Sequence, residues 1–382
     1  MITSIAITNF KLYKERTVFD GLKNINILTG INGRGKSTLL HTLLLPKQSL
    51  LVSQYSDNLL LNGDYIKLGN AIDVRNNTTP RSVPVSFEYI TEDTSLSLDF
   101  TADSDKSQKL PLASINGKEY LPDSMPLRNF APKDANGTNV SNILSRITYI
   151  SAERIGPKLQ YTPAPNDNGM DSVGEFAPSI LYLHSNDAFD SDSIDSLADI
   201  FPGVSPNGRS VNDLANYWMS RMFDETDVKA QYIEEVNAYT LLYRTTDPQK
   251  TVKPTNMGFG YSYALPIIVA GLTAKDGDIL VIENPEAHLH PMAQSALGRF
   301  IVWLSNIRKI QFFIETHSEH MVNAMRVMAK REILDARNCS ILFFDTQYAQ
   351  YAEKIDMNQD GHLSSWPRGF FDQEEIDLDT LL

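Results

Sequence analysis

Three short runs hold the residues that can do chemistry. The first is Gly30-Ile-Asn32-Gly33-Arg34-Gly35-Lys36-Ser37-Thr38, a complete G-x-x-x-x-G-K-[ST] loop. Glycines at those spacings let backbone N–H groups turn inward around a phosphate, and the helix that follows adds the positive end of its dipole. Lys36 then brings a charge to the β and γ phosphates, and the Ser37 hydroxyl reaches Mg2+. The second run is Ile279-Leu-Val-Ile-Glu283-Asn284-Pro-Glu286-Ala-His288-Leu-His290-Pro. Apolar β residues leading to a carboxylate make a Walker B strand, which delivers Glu283 to the carboxyl edge of a sheet, where it can hold Mg2+ directly or through water. The third is Ile314-Glu-Thr-His317-Ser318, again a loop after an apolar strand. An imidazole there can sense or contact a γ-phosphate.

The elements that must position these runs are legible as hydrophobic periods. Ile2, Ile5, Ile7 and Phe10 alternate as a half-buried strand, and Thr17 to Phe19 can return beside it. Asn24 to Leu28 reads as a buried strand that stops at the loop, and Lys36 to Leu45 as an apolar helix ended by Pro46. Ser82 to Ile90 and Ser95 to Phe100 alternate strictly, as antiparallel strands do. Residues 101 to 140 read as loops with a short strand or two, Arg146 to Ile150 as a core strand, and Asp213 to Tyr243 as helix in two pieces. In the last third, strands at Ile279, Gln311 and Ser340 alternate with helices from Gly258, Pro291 and Ser318. That alternation implies an α/β fold with a mainly parallel core sheet. The expected organisation is one discontinuous head over 1–382. Its core comprises 1–50, 140–155 and 251–382, with an antiparallel β lobe at 68–135 and a mostly helical insertion at 155–250. No heptad run is long enough for an extended coiled coil.

Composition narrows the class. The 382 residues carry a formal charge of −13, which argues against coating nucleic acid or an anionic membrane by bulk charge. Locally the balance differs: residues 1–50 hold seven Lys or Arg against two acids, so the excess acid lies away from the loop. A lone cysteine, Cys339, excludes a disulfide framework or a cysteine-rich zinc site and fits a reducing compartment. The start lacks the apolar core of a signal peptide, and no run is long enough to span a bilayer, so the cytoplasm is the expected location.

Taken together, these motifs resemble an ABC-type ATPase head of the RecF/SMC/OLD branch, and in particular the compact prokaryotic antiphage-defence ATPases of Septu and PARIS systems. The matching pieces are Asn9-Phe10-Lys11, the loop with Asn32, Asn256-Met-Gly-Phe-Gly-Tyr-Ser262, the ENPEAHLHP stretch, ETHSEH, and the ending Asp360-Gly-His-Leu-Ser-Ser-Trp366-Pro-Arg-Gly-Phe-Phe-Asp372. The resemblance implies a head-to-head dimer with two ATP molecules between the Walker A loop of one subunit and the signature segment of the other. It implies that Gly258, Gly260 and Ser262 contact the γ-phosphate in trans. Lys11 matches a nucleotide-contacting basic residue, Asn32 a residue near the γ-phosphate, and Glu153-Arg154 the loop that couples nucleotide to the lobes. It also implies a sensor or scaffold role beside a separate nuclease or toxin, with DNA or a phage product as trigger.

One departure matters. Relatives end Walker B with Asp then Glu, the Glu serving as general base; here the pair is Glu283-Asn284. An amide can orient a water but cannot take its proton. Glu286 and His317 become the candidate bases, and slow hydrolysis is expected. Several other patterns carry less. His288, His290, His317 and His320 include an H-x-H pair that can bind zinc on a loop, but no H-E-x-x-H is present and their carboxylate neighbours suit Mg2+ better. Asp356 to Gly361 imitates the start of an EF-hand loop, but Pro367 stands at the twelfth position, so a β-turn is expected. No acidic cluster resembling a fused Toprim nuclease follows His317. The rival reading is a RecF-like DNA-repair or DNA-clamping ATPase. A metabolic P-loop kinase would need an acceptor site that the sequence does not offer.

Overall fold

Alternation of large apolar and polar residues builds the first sheet. The computed structural model describes residues 1–55, 57–102, 107–121, 127–132, 138–165, 169–245, 250–345 and 352–381. The chain divides into two compact units, Met1–Ile147 with Leu342–Lys354 and Thr148–Ile341 with Ile355–Leu382.

The first unit opens with β1 (Ser4–Thr8), β2 (Thr17–Phe19), β3 (Ile25–Gly30) and α1 (Lys36–Val52). It continues through β4 (Asn58–Leu60), α2 (Ala71–Val74), β5 (Val85–Ile90), β6 (Ser95–Ala102), β7 (Ser107–Ile115) and β8 (Lys118–Tyr120). β9 (Leu127–Arg128), β10 (Ala131–Pro132) and α3 (Thr138–Ser145) complete it. A sheet runs β2-β1-β5-β6-β7-β4 with β8 beside β7, and its pairings are antiparallel. β7 occupies nine residues, longer than the short strand or two expected among loops there. Val85, Phe87 and Tyr89 of β5 face inward beside Leu96, Leu98 and Phe100 of β6. Phe87 meets Phe10 edge-on at 5.1 Å and Phe100 at 5.9 Å.

α1 does not stop at Pro46 but runs through it to Val52. Proline lacks the N–H that would bond the carbonyl four residues back, which is that of Thr42. The Tyr89 hydroxyl donates to the Thr42 carbonyl instead. The orphaned acceptor is therefore satisfied from the sheet, and the helix survives its proline. The expected stop at Pro46 misses this because the compensating group lies 47 residues away.

The second unit takes over within β11 (Ile147–Ile150), at Thr148, and continues with α4 (Ala177–Leu183), α5 (Ser191–Asp195), α6 (Leu197–Ile200) and α7 (Val211–Phe223). β12 (Asp227–Ile233), β13 (Ala238–Arg244) and β14 (Thr251–Val252) form a small antiparallel sheet. This corrects the helical reading of Asp213 to Tyr243 beyond Phe223. Val228 and Ala230 alternate with exposed or half-buried partners, as do Leu241 and Tyr243, and Asn237 turns the chain at φ +47°. α8 (Phe259–Thr273), β15 (Ile279–Glu283), α9 (Pro291–Arg308), β16 (Gln311–Glu315) and α10 (Glu319–Lys330) follow. β11, β15 and β16 are neighbours in that order, and β15 and β16 pair in parallel. Trp218, Phe300 and Trp303 are fully buried, with Trp218 5.1 Å from Phe300 and 5.7 Å from Trp303.

β17 (Cys339–Phe344) contains a boundary between the units, and β18 (Glu353–Ile355) and α11 (Gln373–Leu381) end the chain. Within the first unit β3 neighbours β17, and β17 neighbours β18. In the second unit the tail grips α10: Arg326 Nε donates to the Gly361 carbonyl at 2.8 Å, and Gln359 Nε2 to those of Ala329 and Leu334. Met357 bridges Leu363 around Asn358–Gly361, so the EF-hand imitation is a β-turn. Among the described residues, no helix is long and apolar enough to cross a membrane. The whole is a mixed α/β P-loop fold.

Candidate nucleotide site

In the first unit β3 is buried almost to its end and releases the chain into the loop at Gly30. Gly30 has φ +122°, and a Cβ there would lie 2.4 Å from the Phe344 carbonyl oxygen. Gly35, at φ +107°, would collide with the Tyr13 hydroxyl. Only glycine fits either position. The Tyr13 hydroxyl donates to the Gly35 carbonyl at 3.2 Å, which fixes the entry to α1. Lys36 is 3% exposed, and its Nζ donates to the carbonyls of Gly30 at 2.9 Å and Ile31 at 3.0 Å. The ammonium thus threads the loop it belongs to. Asn32 and Gly33 are exposed, Arg34 and Ser37 half-buried, and Thr38 buried.

Lys11 adopts a left-handed conformation at φ +50°, and its Nζ lies 2.8 Å from His41 Nδ1 on α1. Burial pulls the Lys11 ammonium down to about 8. Burial, and then the charge of Lys11, pull the His41 imidazole down to about 3. A neutral imidazole therefore accepts from the ammonium and orients it. Sequence reasoning missed both Tyr13 and His41. The pattern Asn9-Phe10-Lys11 marks the lysine but carries nothing about a partner 30 residues on.

In the second unit β15 delivers Glu283 half-buried at its end. The Tyr149 hydroxyl donates to Glu283 Oε2 at 2.8 Å. Burial raises the Glu283 carboxyl above its ordinary range, against the pull of that hydrogen bond and of the Arg154 charge. Arg154 is 3% exposed and ties together the turn that follows β15. Its Nη1 donates to the Glu283 carbonyl at 2.9 Å and its Nη2 to the Asn284 carbonyl at 2.6 Å, over the Tyr263 ring at 5.0 Å. Burial lowers this guanidinium to about 10, still charged at neutral pH. Asn284 is left-handed at φ +43°, with its N–H on the Glu315 carbonyl and its Oδ1 buried without a partner.

Glu286 uses both carboxylate oxygens on the histidine loop: Thr316 Oγ1 donates to one at 2.8 Å and the His317 N–H to the other at 2.7 Å. Glu286 therefore braces the loop that carries His317. His317 is exposed, and Ser318 caps α10 by accepting from the Met321 N–H. His288 packs against Phe259 and Tyr263, and His290 caps α9. Among the described residues, no three His, Cys, Asp or Glu converge on a metal position.

The signature segment splits in two. Gly258 is the exposed N-cap of α8, with no atom closer than 3.9 Å to an added Cβ, and Phe259 is 53% exposed. Gly260 is buried, and a Cβ there would stand 2.8 Å from the His288 carbonyl oxygen. Ser262 is 6% exposed, beside Tyr161. Gly258 and Phe259 thus face solvent, whereas Gly260 and Ser262 pack within the unit.

Residues 173–322 match the AAA ATPase domain family, and residues 334–381 match a family described as a protein of unknown function, DUF3696. The first match holds the signature, Walker B and histidine-loop runs and leaves out Gly30–Thr38. No curated protein matches the chain. Among solved structures it is similar to the SMC head domain from Thermotoga maritima, at 12% identity and TM-score 0.45 over 94% of this chain and 99% of that one. It is also similar to an SMC head bound to the C-winged helix domain of ScpA, at 14% identity and TM-score 0.46 over 98% and 99%. A third similar structure is an SMC head with an extended coiled coil bound to the C-terminal domain of ScpA, derived from Pyrococcus furiosus, at 11% identity and TM-score 0.49 over 100% and 99%. The fold is that of a P-loop ATPase.

Proposed function

We propose that the chain binds ATP with Mg2+, hydrolyses it slowly, and closes as a head-to-head dimer that holds or releases a separate effector in antiphage defence. The observation that carries the nucleotide reading is the Gly30–Thr38 loop. Gly30 and Gly35 occupy conformations and contacts closed to other residues, and the lysine is already buried at the loop's centre. Bound Mg2+ neutralises phosphate charge and polarises the γ-phosphate. Ser37 and Glu283 would hold it, an oxygen-only donor pair that suits a hard cation. A cation also favours the ionised form of a carboxyl whose burial raises it, as at Glu283.

Slow turnover has its support in the turn after β15. Asn284 cannot accept a proton, and Glu286 is committed to Thr316 and His317. Asn284 orients the attacking water, and His317 reads the γ-phosphate. The defence role, the nuclease or toxin effector and the DNA or phage-derived trigger rest on the motif set and on the ending Asp360–Asp372. ATP acts as a ligand that favours one of two states, and the effector reads that state.

Calorimetry tests the first step. Lys36→Ala is expected to abolish ATP binding with the melting transition retained, and Glu283→Gln to abolish the Mg2+ dependence of binding or turnover. ATP binding by Lys36→Ala at wild-type affinity refutes the loop assignment. Phage plating tests the last step: co-expression with a separately encoded nuclease or toxin that co-purifies with the chain is expected to protect cells, and Lys36→Ala to remove the protection.

A further inference from the structure

Away from these runs, one cavity in the second unit sets two arginines against a single exposed carboxylate. It has a volume of about 340 Å3 and is lined by Phe201, Ser220, Arg221, Met292, Ser295 and Arg299. The last turn of α7 supplies Ser220 and Arg221. Met292, Ser295 and Arg299 share one face of α9 through the spacing of its turns. Each guanidinium is steadied by a ring: Arg221 lies 5.8 Å from the Tyr217 centroid and Arg299 5.1 Å from that of Phe201.

Neither arginine is in an ion pair among the described residues. The Nε of both is buried and has no hydrogen-bond partner. Asp224 is the one carboxylate at the rim; it is exposed and bonded to neither. A third arginine deepens the imbalance. Arg331 donates to the carbonyls of Ile200 and Asp199, so its own charge is unanswered, and it adds to burial in pulling Arg299 below its ordinary value. Buried N–H groups and clustered cations cost free energy until an anion meets them.

We infer that this pocket is a recognition site for the phosphate group of a small ligand, built from residues other than the Gly30–Thr38 loop. Two guanidinium forks and the Ser295 hydroxyl offer more donors than one carboxylate can use, and they match the oxygens of a phosphate; the Ser220 hydroxyl donates to the Tyr217 carbonyl and accepts from Arg221 Nη2, so it positions that fork instead. Phe201 and Met292 give the remaining space an apolar wall, which suits the organic part of a phosphorylated metabolite. A nucleic-acid duplex needs a track of cations along its backbone, and this chain, at −13, gathers these two at a single cavity.

The test uses the full chain with Lys36→Ala, which silences the loop, and pyrophosphate as probe in a calorimeter. Saturable uptake by this variant is expected, and adding Arg221→Gln and Arg299→Gln weakens it about tenfold or more, the loss of charge-assisted hydrogen bonds. Ser295→Glu, which keeps both arginines and introduces a carboxylate, is expected to expel the probe as well. It covers the case in which the double variant does not fold. No uptake by the Lys36→Ala chain overturns the inference. So does uptake that survives both sets of substitutions, or retention of a DNA duplex without pyrophosphate.

Discussion

Lys36 and Lys11 are both lysines drawn into the first unit, yet they are held by different chemistry. Lys36 sits on the carbonyl oxygens of Gly30 and Ile31. Lys11 sits on a neutral imidazole and in a desolvated position that lowers it to about 8. Its ammonium is therefore present below that value and lost above it. If Lys11 contacts nucleotide, the affinity falls as pH rises through about 8, and Lys11→Arg keeps it flat to higher pH; titration calorimetry across pH 7–9.5 checks this. In the second unit the residue to change is Asn284. Asn284→Glu restores a base and is expected to raise steady-state turnover about tenfold or more, as a general base typically does. An unchanged rate in a phosphate-release assay contradicts the account of slow hydrolysis. The loop and Glu283 were legible because a few neighbouring residues carry the whole pattern. Tyr149 was not, since it reaches Glu283 across 134 positions.

The elements show the same division between local and distant causes. Strands β5 and β6 follow their strict alternation, and α8, α9 and α10 follow the expected starts at Gly258, Pro291 and Ser318. Two departures have physical reasons. The β12–β13 hairpin has period-two apolar residues and a left-handed Asn237, which a helical reading overrides wrongly. α1 outlives Pro46 because Tyr89 bonds the Thr42 carbonyl. That bond joins the helix behind the loop to the sheet, and it predicts a specific cost. Tyr89→Phe leaves a buried acceptor unmet and is expected to destabilise the first unit by about 1–3 kcal/mol in urea unfolding. A change below the error of the measurement means the carbonyl is satisfied otherwise.

At the scale of the molecule, acid is concentrated in the tail: residues 353–382 carry eight acids against two bases, and α11 is exposed wherever its side chains are described. Such a tail suits a basic protein partner better than DNA. The dimer is tested at Gly258, not Gly260. An aspartate at Gly260 collides with the His288 carbonyl and perturbs the fold, whereas Gly258 is open. Gly258→Asp is expected to keep ATP binding and lose ATP-dependent dimerisation in light scattering; an undiminished dimer refutes the trans role of this segment. The tail has a mechanical meaning too. Arg326 and Gln359 clamp residues 359–361 to the far end of α10, whose near end is capped by Ser318, next to His317. A partner that pulls on the tail therefore pulls on a stiff rod about 18 Å long. His317 stands just before the cap at the other end of that rod, so the tail's anchorage and the histidine share one rigid element.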